Sequence, residues 1–369
     1  TTIDYVSGLV IGRSGRTFTR RLFLVVSVLA NLTILAVFKY ANFGLENLTH
    51  LMAALGFDGW QERTFANIAL PLGISFYTFQ SMSYTIDVYR GQVQPTRNYL
   101  GFATFVTMFP QLVAGPIVRY RDVADQITGR ILTTNLFSSG VLRFIVGLGK
   151  KVLIANTIAA AVDRIFLVPE AELTTGLAWL GVLLYPLQLY FDFSGYSDMA
   201  IGLGRMLGFR FPENFNYPYA GVSLQDFWRR WHISLSTWFR DYLFIPLGGS
   251  RGSNLRVAAN LVAVFGLCGL WHGAAWFYVI FGLYHGIFLG LERGPLGRWL
   301  EGPGRPVGHL YMHLVLTGGW IIFRNESMTK AGPYALTRLG LGNGEPGRLT
   351  AAGLLDAVLV AAALWGAGL

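Results

Sequence analysis

The sequence has few charged side chains for its length. Of its 369 residues, 13% are Asp, Glu, Lys or Arg, while 53% are hydrophobic and 15% are aromatic. Soluble domains carry about 25% charged residues, which keep their surface hydrated. A water-soluble globular protein is therefore excluded, and the composition indicates a surface that faces lipid.

Cysteine is almost absent, and linkers are missing. Cys268 is the single cysteine, so an intrachain disulfide is excluded, and no neighbouring residue would activate its thiol. The sequence has no low-complexity segment, no linker rich in Ser or Pro and no repeat of fixed period. We therefore expect one membrane domain over residues 1–369, with its core motifs in 188–273. Because the chain begins with Thr1 and stops at Leu369 inside an apolar run, we expect the protein to continue at both ends.

Long apolar runs recur along the chain, for example 22–38, 177–193 and 276–291. Such runs can cross a hydrocarbon core of about 30 Å. Lipid offers no hydrogen-bond partner to open backbone, so the runs should be helices, and they lack the alternation of barrel strands. The sequence predicts an all-α, multi-pass integral membrane protein with about nine to eleven membrane-embedded helices.

Basic residues outnumber acidic ones by 29 to 20, which gives a net charge of +9 at pH 7. No nucleic-acid recognition motif accompanies this charge, so nucleic acid is not an expected partner. Arg13, Arg16, Arg20 and Arg21 instead stand at the end of an apolar run. Basic residues in that position contact membrane lipid and hold short loops on the cytoplasmic side.

His272 is the most costly polar residue, because the sequence is apolar on both sides of Gly-Leu-Trp-His-Gly. An ionisable residue inside a span costs about 2.5–3.5 kcal/mol on insertion scales, so it is a functional candidate by default. A packing hydrogen bond to a neighbouring carbonyl is the alternative. Gly269 and Gly273 would allow a ligand or a backbone segment to approach closely, which favours function.

Asp192 and Asp198 follow at the end of another apolar run. They could transfer protons, cap and brace helices, or pair with Arg229 and Arg230. Bracing is the favoured interpretation.

The segment 223–242 carries an apolar, aromatic face at helical spacing and three arginines elsewhere. This pattern predicts an interfacial helix with an aromatic belt at headgroup level. His232 lies within it, where interfacial exposure would make a histidine less costly. The face consists of Trp228, Trp231, Leu235, Trp238 and Tyr242, and the arginines are Arg229, Arg230 and Arg240.

His309 and His313 stand four residues apart, as metal ligands on a helix often do. No third ligand is apparent, so we expect no metal site.

Motifs along nearly the whole chain, in preserved order, resemble the membrane-bound O-acyltransferase family and, within it, the branch that acetylates exported polysaccharides. They are residues 38–43, 70–77, 84–91, 109–119, 188–204, 227–249 and 269–273. The resemblance implies a ring of tilted helices with re-entrant segments around a central tunnel, in the bacterial inner membrane. It also implies an acyl-CoA-dependent O-acetyltransferase that takes acetyl from cytosolic acetyl-coenzyme A. The implied acceptor is an exported polysaccharide such as alginate, reached through a periplasmic or membrane-tethered partner of the SGNH, serine-hydrolase type.

By the same resemblance, His272 is the family's intramembrane histidine and His232 its second active-site histidine. We expect His272 to act as the base, Trp271 to wall the pocket, and His232 or Asn214 to orient the acceptor or stabilise the oxyanion. Gly249 and Arg251 could contact coenzyme A phosphates, although a plain interfacial turn is the favoured interpretation of their loop. The residues expected to line or support the tunnel are Trp271, Asp192, Tyr196, Asp198, Asn214, Trp228, Arg229, Arg230, Ser234, Trp238, Arg240 and Asp241.

Other functions stay open at this point. The same core could transfer D-alanine toward teichoic acid, or an acyl group to peptidoglycan. A transporter or channel could use His272 and the two aspartates as an ion pathway. A scaffold for polymer secretion would tolerate the loss of His272, whereas an acyltransferase must consume a thioester.

Overall fold

The computed structural model describes residues 1–57, 69–325 and 328–339. Within these ranges every regular element is a helix, which confirms the predicted all-α class. The apolar run that ends at Leu369 lies outside the described residues. The α-helices are α1 (Thr2–Arg13), α2 (Thr17–Leu35), α3 (Ala41–Ala54), α4 (Ile74–Tyr89), α5 (Tyr99–Thr107), α6 (Phe109–Leu112), α7 (Tyr120–Gly129), α8 (Thr134–Gly149), α9 (Asn156–Phe166), α10 (Thr175–Met206), α11 (Leu224–Arg230), α12 (Ile233–Phe239), α13 (Asn254–His272), α14 (Trp276–Leu291), α15 (Pro295–Glu301), α16 (Arg305–Asn325) and α17 (Met328–Arg338).

Three π-helical segments continue α2, α8 and α12 without a break in the chain. They are Ala36–Tyr40, Lys150–Ala155 and Arg240–Phe244. Segments of this kind are rare and are frequently found at functional sites.

Three helical stretches among the described residues have the length and hydropathy of a membrane span. They are Thr17–Ala54, Thr134–Phe166 and Asn254–His272, and Trp276–Leu291 is apolar but shorter. The predicted run 177–193 lies inside α10, a helix of 32 residues with Pro186 in its interior. The multi-pass membrane class is thus confirmed. The count of about nine to eleven embedded helices, the ring around a tunnel and the single domain stay predictions.

Small residues bring α8 and α10 into backbone contact. A Cβ on Gly147 would lie 2.5 Å from the carbonyl oxygen of Gly195. Helices in lipid gain little from the hydrophobic effect, so close packing of this kind supplies much of their attraction. The contact also sets Arg143 and Lys150 beside Asp198 of α10.

α13 and α14 form a tight antiparallel hairpin that ends at the embedded histidine. Gly269 and Gly273 are close-contact positions, as the sequence predicts: a Cβ would lie 2.2 Å from the Tyr278 carbonyl oxygen at Gly269 and 2.0 Å from the Tyr278 ring at Gly273. What approaches them is therefore the first turn of α14. Gly273 is extended, with φ −164° and ψ 156°, and α13 stops at His272.

The segment 223–242 is not the single interfacial helix that the sequence predicts. It forms α11 and α12, which are separated at Trp231 and His232. The tryptophans of its aromatic face are buried in the hydrophobic core and do not form a belt at the headgroups. The helical spacing is real, but periodicity cannot distinguish a face covered by lipid from one covered by other helices.

We predict that Gly282→Ala destabilises the α13–α14 hairpin. Its Cβ would lie 2.1 Å from the Phe265 carbonyl oxygen, which is backbone and cannot move aside. Overpacking of this kind costs about 1–3 kcal/mol, which thermal unfolding in detergent would detect. Gly149→Ala is the matched control, because its Cβ would meet no atom of another described segment within 4 Å. Equal unfolding temperatures for the two variants would contradict the prediction.

Candidate active site

His232 stands at the break between α11 and α12 in a strained backbone conformation. Its φ of 45° and ψ of 54° lie in the left-handed region, which residues other than glycine seldom adopt. The side chain is 3% exposed, and its Nε2 atom has no hydrogen-bond partner among the described residues. A strained residue with an unsatisfied buried polar atom is typical of a functional site.

Asn214 holds the chain on the far side of this break. Its Oδ1 atom accepts hydrogen bonds from the backbone N (3.2 Å) and the Oγ (2.8 Å) of Ser234, and its carbonyl oxygen accepts one from the N of Ile233 (2.9 Å). Its Nδ2 donates to the Oγ of Ser197 at 3.1 Å. Asn214 and Ser234 therefore position His232. The Asn214 oxygen is already used by the protein, so His232 is the better of the two predicted contacts for an acceptor.

His272 ends α13 with one ring nitrogen committed. Nδ1 lies 2.7 Å from the carbonyl oxygen of Cys268, one turn earlier. A carbonyl can only accept, so Nδ1 carries the proton and donates. In the neutral imidazole, the other nitrogen, Nε2, then has a free lone pair. This neutral ring is the form that can take a proton.

The indole of Trp271 lies against both predicted histidines. Its ring centroid is 5.1 Å from that of His272 and 6.4 Å from that of His232. Phe79 stacks on the same indole at 5.4 Å. The Nε1 of Trp271 is buried and has no partner among the described residues. The structure thus gathers three predicted site residues around one aromatic wall.

More aromatic rings surround the two imidazoles. Phe281 and Phe323 lie 6.3 Å and 6.0 Å from His272, and Phe193 lies 4.7 Å from His232, measured between ring centroids. Such a lining excludes water, which would otherwise compete with an acceptor for a reactive thioester.

Lys39 and Tyr40 also reach the end of α13, and the sequence did not indicate them as site residues. The Tyr40 hydroxyl donates to the carbonyl oxygen of Leu270 at 2.7 Å. The Lys39 ammonium donates to the carbonyl oxygens of Trp271 and His272, the latter at 3.4 Å. A lysine after the apolar run 22–38 is typical of the end of a span, and the available signal was that Lys39 and Tyr40 lie in the motif 38–43.

Asp198 and Asp192 brace helices, as the sequence favours, and the alternative pairing with the arginines at 229 and 230 is not what the structure shows. Asp198, whose side chain is 7% exposed, accepts from Arg143 Nε and Lys150 Nζ at 2.8 Å each. Asp192, whose side chain is 40% exposed, pairs with Lys151. The partners lie on the helical stretch packed against α10, and proximity in sequence to the arginines at 229 and 230 did not reveal this.

The remaining predicted supports lie at different distances from the histidines. Trp238 belongs to the aromatic wall, because it stacks on Phe79 at 3.7 Å and its Nε1 donates to the Phe79 carbonyl oxygen at 3.1 Å. Trp228 is buried against His285, with 5.2 Å between ring centroids.

Arg229, Arg230 and Tyr196 are not brought to the histidines by any contact that the structure records. Arg229 is exposed, Arg230 pairs with Asp226 at 2.9 Å, and Tyr196 is partly exposed on α10. Their predicted part in a tunnel stays a prediction.

Asp241 and Arg240 belong to an ion-pair cluster after α12. Asp241 accepts from Arg119 at 2.6 Å and from Arg240 at 2.7 Å. Burial acts to raise the pKa of the Asp241 carboxyl, but the hydrogen bonds from Arg240 and Arg119 outweigh it and hold that pKa below its ordinary value. Asp241 therefore stays charged, and its ion pairs with Arg119 and Arg240 fix the segment after α12.

The loop with Gly249 and Arg251 is a closed turn. The backbone N–H groups of Gly248, Gly249 and Arg251 donate to carbonyl oxygens of residues 245, 244 and 248. These amides are occupied, which favours the interfacial turn over a phosphate cradle. The Arg251 side chain is exposed, and a contact with coenzyme A stays a prediction.

His309 and His313 line a cavity of about 610 Å³ between α10 and α16. His313 is ten residues before Phe323, or roughly 15 Å along the helix, whereas Tyr190, which also lines the cavity, stands one turn before Phe193, the ring beside His232. Among residues 1–57, 69–325 and 328–339, no group of three His, Cys, Asp or Glu side chains is arranged to hold a metal ion.

Glu292, just after α14, caps the helix that leads to His232. Its carboxylate accepts from the N–H groups of Leu224 (2.7 Å) and Gln225 (2.9 Å) at the start of α11. Burial raises the pKa of the Glu292 carboxyl, although these two N–H groups act to lower it.

Comparison with known proteins places these residues in a wider context. A sequence model described as MBOAT, membrane-bound O-acyltransferase family, matches residues 92–296. The chain is 48% identical over 332 residues to the probable alginate O-acetylase AlgI of Azotobacter vinelandii, covering 90% of this chain and 66% of that protein. These matches confirm the resemblance carried by the motifs.

Two further relatives have other printed activities. Identity is 38% over 318 residues to the peptidoglycan O-acetyltransferase of Helicobacter pylori, with 79% of this chain and 59% of that protein covered. It is 32% over 237 residues to the teichoic acid D-alanyltransferase of Bacillus subtilis, with 60% and 59% covered. The chain spans less than two thirds of the length of each of these three relatives.

We predict that Asp198→Asn destabilises the protein more than Asp192→Asn does. The first change removes the carboxylate from Lys150 and leaves Arg143 with Glu213 alone, at a cost of roughly 2–3 kcal/mol, since the two cations are partly exposed. The Asp192 pair is screened by its exposure and should contribute at most about 1 kcal/mol. Thermal unfolding of both variants in one detergent provides the comparison, and equal losses would refute the bracing role of Asp198.

Glu292 predicts a pH dependence of stability. Because its pKa is raised in the folded protein, the folded state binds the proton more readily than the unfolded state does. Its contribution is therefore largest at low pH and is lost as pH rises through the raised value. The unfolding temperature of the parent, relative to Glu292→Gln, should fall as pH rises above about 4.3, the ordinary pKa of a glutamate. The exposed Glu46→Gln serves as control, and a pH-independent difference for Glu292→Gln would contradict the prediction.

Proposed function

The chain belongs to the membrane-bound O-acyltransferase family, and from this we propose that it is an O-acyltransferase that moves acetyl groups from cytosolic acetyl-coenzyme A toward an exported polysaccharide, with His272 as the general base. The observation that carries the proposal is the committed Nδ1 of His272, which leaves Nε2 with a lone pair beside a wall of aromatic rings.

The reaction needs a base because a hydroxyl is a poor nucleophile at neutral pH. In our proposal, Nε2 of His272 takes the hydroxyl proton while the oxygen attacks the thioester carbonyl. A carbon–oxygen bond forms, the carbon–sulfur bond breaks, and the proton passes from Nε2 to the departing thiolate. No metal is required by this scheme, and acetyl-coenzyme A is the acyl donor.

The developing oxyanion needs hydrogen-bond donors. The Nε1–H of Trp271 is a buried donor without a partner among the described residues, and it belongs to the ring next to His272. His232, whose Nε2 is also buried and unpartnered, contacts the same indole and is our choice for orienting the acceptor or sharing this task.

The acceptor is proposed from the relatives. Alginate is named in the A. vinelandii relative, which is more similar to this chain than the peptidoglycan and teichoic acid enzymes. We propose an alginate-like exported polysaccharide, reached from the inner membrane through a periplasmic or membrane-tethered partner of the SGNH type. Peptidoglycan acylation and D-alanyl transfer are the alternatives with the same core.

A transporter or channel is less well supported. An ion pathway would need carboxylates that exchange their partners, whereas Asp198 is held by two cations at once. A scaffold role would explain the hydrogen bond from Nδ1 of His272 to Cys268, but it assigns no task to the lone pair on Nε2.

We predict that His272→Ala lowers acetyl transfer by about a hundredfold or more, the scale of losing a general base. The assay follows label from acetyl-coenzyme A to alginate or peptidoglycan fragments, with purified protein in nanodiscs and with the periplasmic partner. His50→Ala is the matched control, because this histidine is exposed and pairs only with Glu46 among the described residues. Equal rates for His272→Ala and parent would remove His272 as the base. Absence of transfer by the parent with every acceptor would move the transporter and scaffold functions ahead.

A further inference from the structure

The end of α13 poses a hydrogen-bonding problem inside the membrane. An α-helix leaves its last four carbonyl groups without partners in the helix itself. At a water-exposed end, solvent satisfies them, but lipid cannot. Gly273 turns away in an extended conformation immediately after His272, so the partners must come from another part of the chain.

Two neighbouring side chains of the first long span supply these partners. The Tyr40 hydroxyl and the Lys39 ammonium between them reach the carbonyl oxygens of Leu270, Trp271 and His272. Lys39 also donates to the Oγ of Ser75 at 3.2 Å. Three consecutive carbonyls at the helix end are thus capped by side chains from a distant segment of the same chain.

A lysine at this position costs free energy but also interacts favourably with the end of α13. A cation inside a membrane span is expensive, and those that persist mark functional sites. At a helix C-terminus, however, a positive charge is favoured by the helix dipole. The Lys39 ammonium also lies 5.6 Å from the centroid of the Trp271 ring, close enough for a cation–π contact.

The backbone around Lys39 is unusual in the same place. Ala36–Tyr40 is π-helical, between α2 and α3 of the span Thr17–Ala54. A π-helical turn rotates the following side chains relative to a regular α-helix and is frequently retained at functional sites. Here it presents Lys39 and Tyr40 together to α13.

We propose that Lys39 is a positioning residue for His272. The imidazole is fixed to its own helix by the bond from Nδ1 to Cys268, and Lys39, with Tyr40, fixes the end of that helix. Together the two contacts define where Nε2 points. The proposal rests on the role of His272 as base, and it assigns Lys39 no contact with substrate.

The test compares Lys39→Met, which keeps the length of the side chain without its charge, with Lys39→Arg and with parent. Misplacing a base by about 1 Å can cost a hundredfold, so kcat should fall about tenfold to a hundredfold in Lys39→Met while KM stays within about twofold. Lys39→Arg should recover part of kcat. Lys330→Met, at an exposed position on α17, is the matched control and should match the parent.

A double variant separates positioning from general stability. When His272→Ala is already present, adding Lys39→Met should lower the residual rate no further, because the two residues act as one unit. A further fall would overturn the proposal, and so would a parental kcat in Lys39→Met. If Lys39→Met fails to fold, the milder Tyr40→Phe, which removes a single cap, replaces it, and a parental kcat there would equally refute the cap's role.

A second readout does not depend on acyl transfer. Hydrogen exchange of the backbone amides in 268–276 should speed up in Lys39→Met and remain parental in Lys330→Met. Unchanged exchange overturns the proposal whatever the activity. Faster exchange in Lys39→Met, combined with a parent that transfers no acyl group, would support the cap while rejecting the proposed function.

Discussion

The carbonyl groups at the end of α13 must find hydrogen-bond partners without bulk water, and the geometry around the histidines follows from that requirement. The Cys268 carbonyl accepts a hydrogen bond from Nδ1–H of His272. The carbonyls after it that need partners accept hydrogen bonds from Lys39 and Tyr40. The first of these bonds holds the imidazole, and the others hold the end of the helix that carries it.

The rest of the fold makes such order possible by close packing. Gly147 and Gly195 let the stretch Thr134–Phe166 meet α10 at backbone distance, and this contact brings Asp198 within reach of two cations. Glycines in the α13–α14 hairpin have the same effect near His272. Lipid offers these helices little hydrophobic reason to associate, so shape and paired charge must supply it.

Cost and periodicity made part of this structure predictable. A histidine between apolar segments is costly in free energy wherever it lies, so the sequence alone marks His272 as a candidate functional residue. The helical spans follow from the apolar runs. The break at His232 could not be predicted, because a left-handed histidine leaves no compositional signal. The partners of Asp198 lie 48 and 55 residues earlier in the chain, so the sequence could predict that Asp198 braces helices but could not identify its partners. The contact of Lys39 with the end of α13 could not be predicted, because a lysine beside an apolar run usually marks the edge of a membrane.

A histidine whose Nδ1 is held in a hydrogen bond can exchange protons with substrates through Nε2 alone. If His272 is the base, the proton that leaves the acceptor oxygen and the proton that reaches the departing sulfur pass through the same Nε2 atom. Oxygen and sulfur must then meet at one edge of the ring, so the routes of donor and acceptor must lead to a common point. A second acceptor cannot be activated until the proton has passed from Nε2 to the departing sulfur.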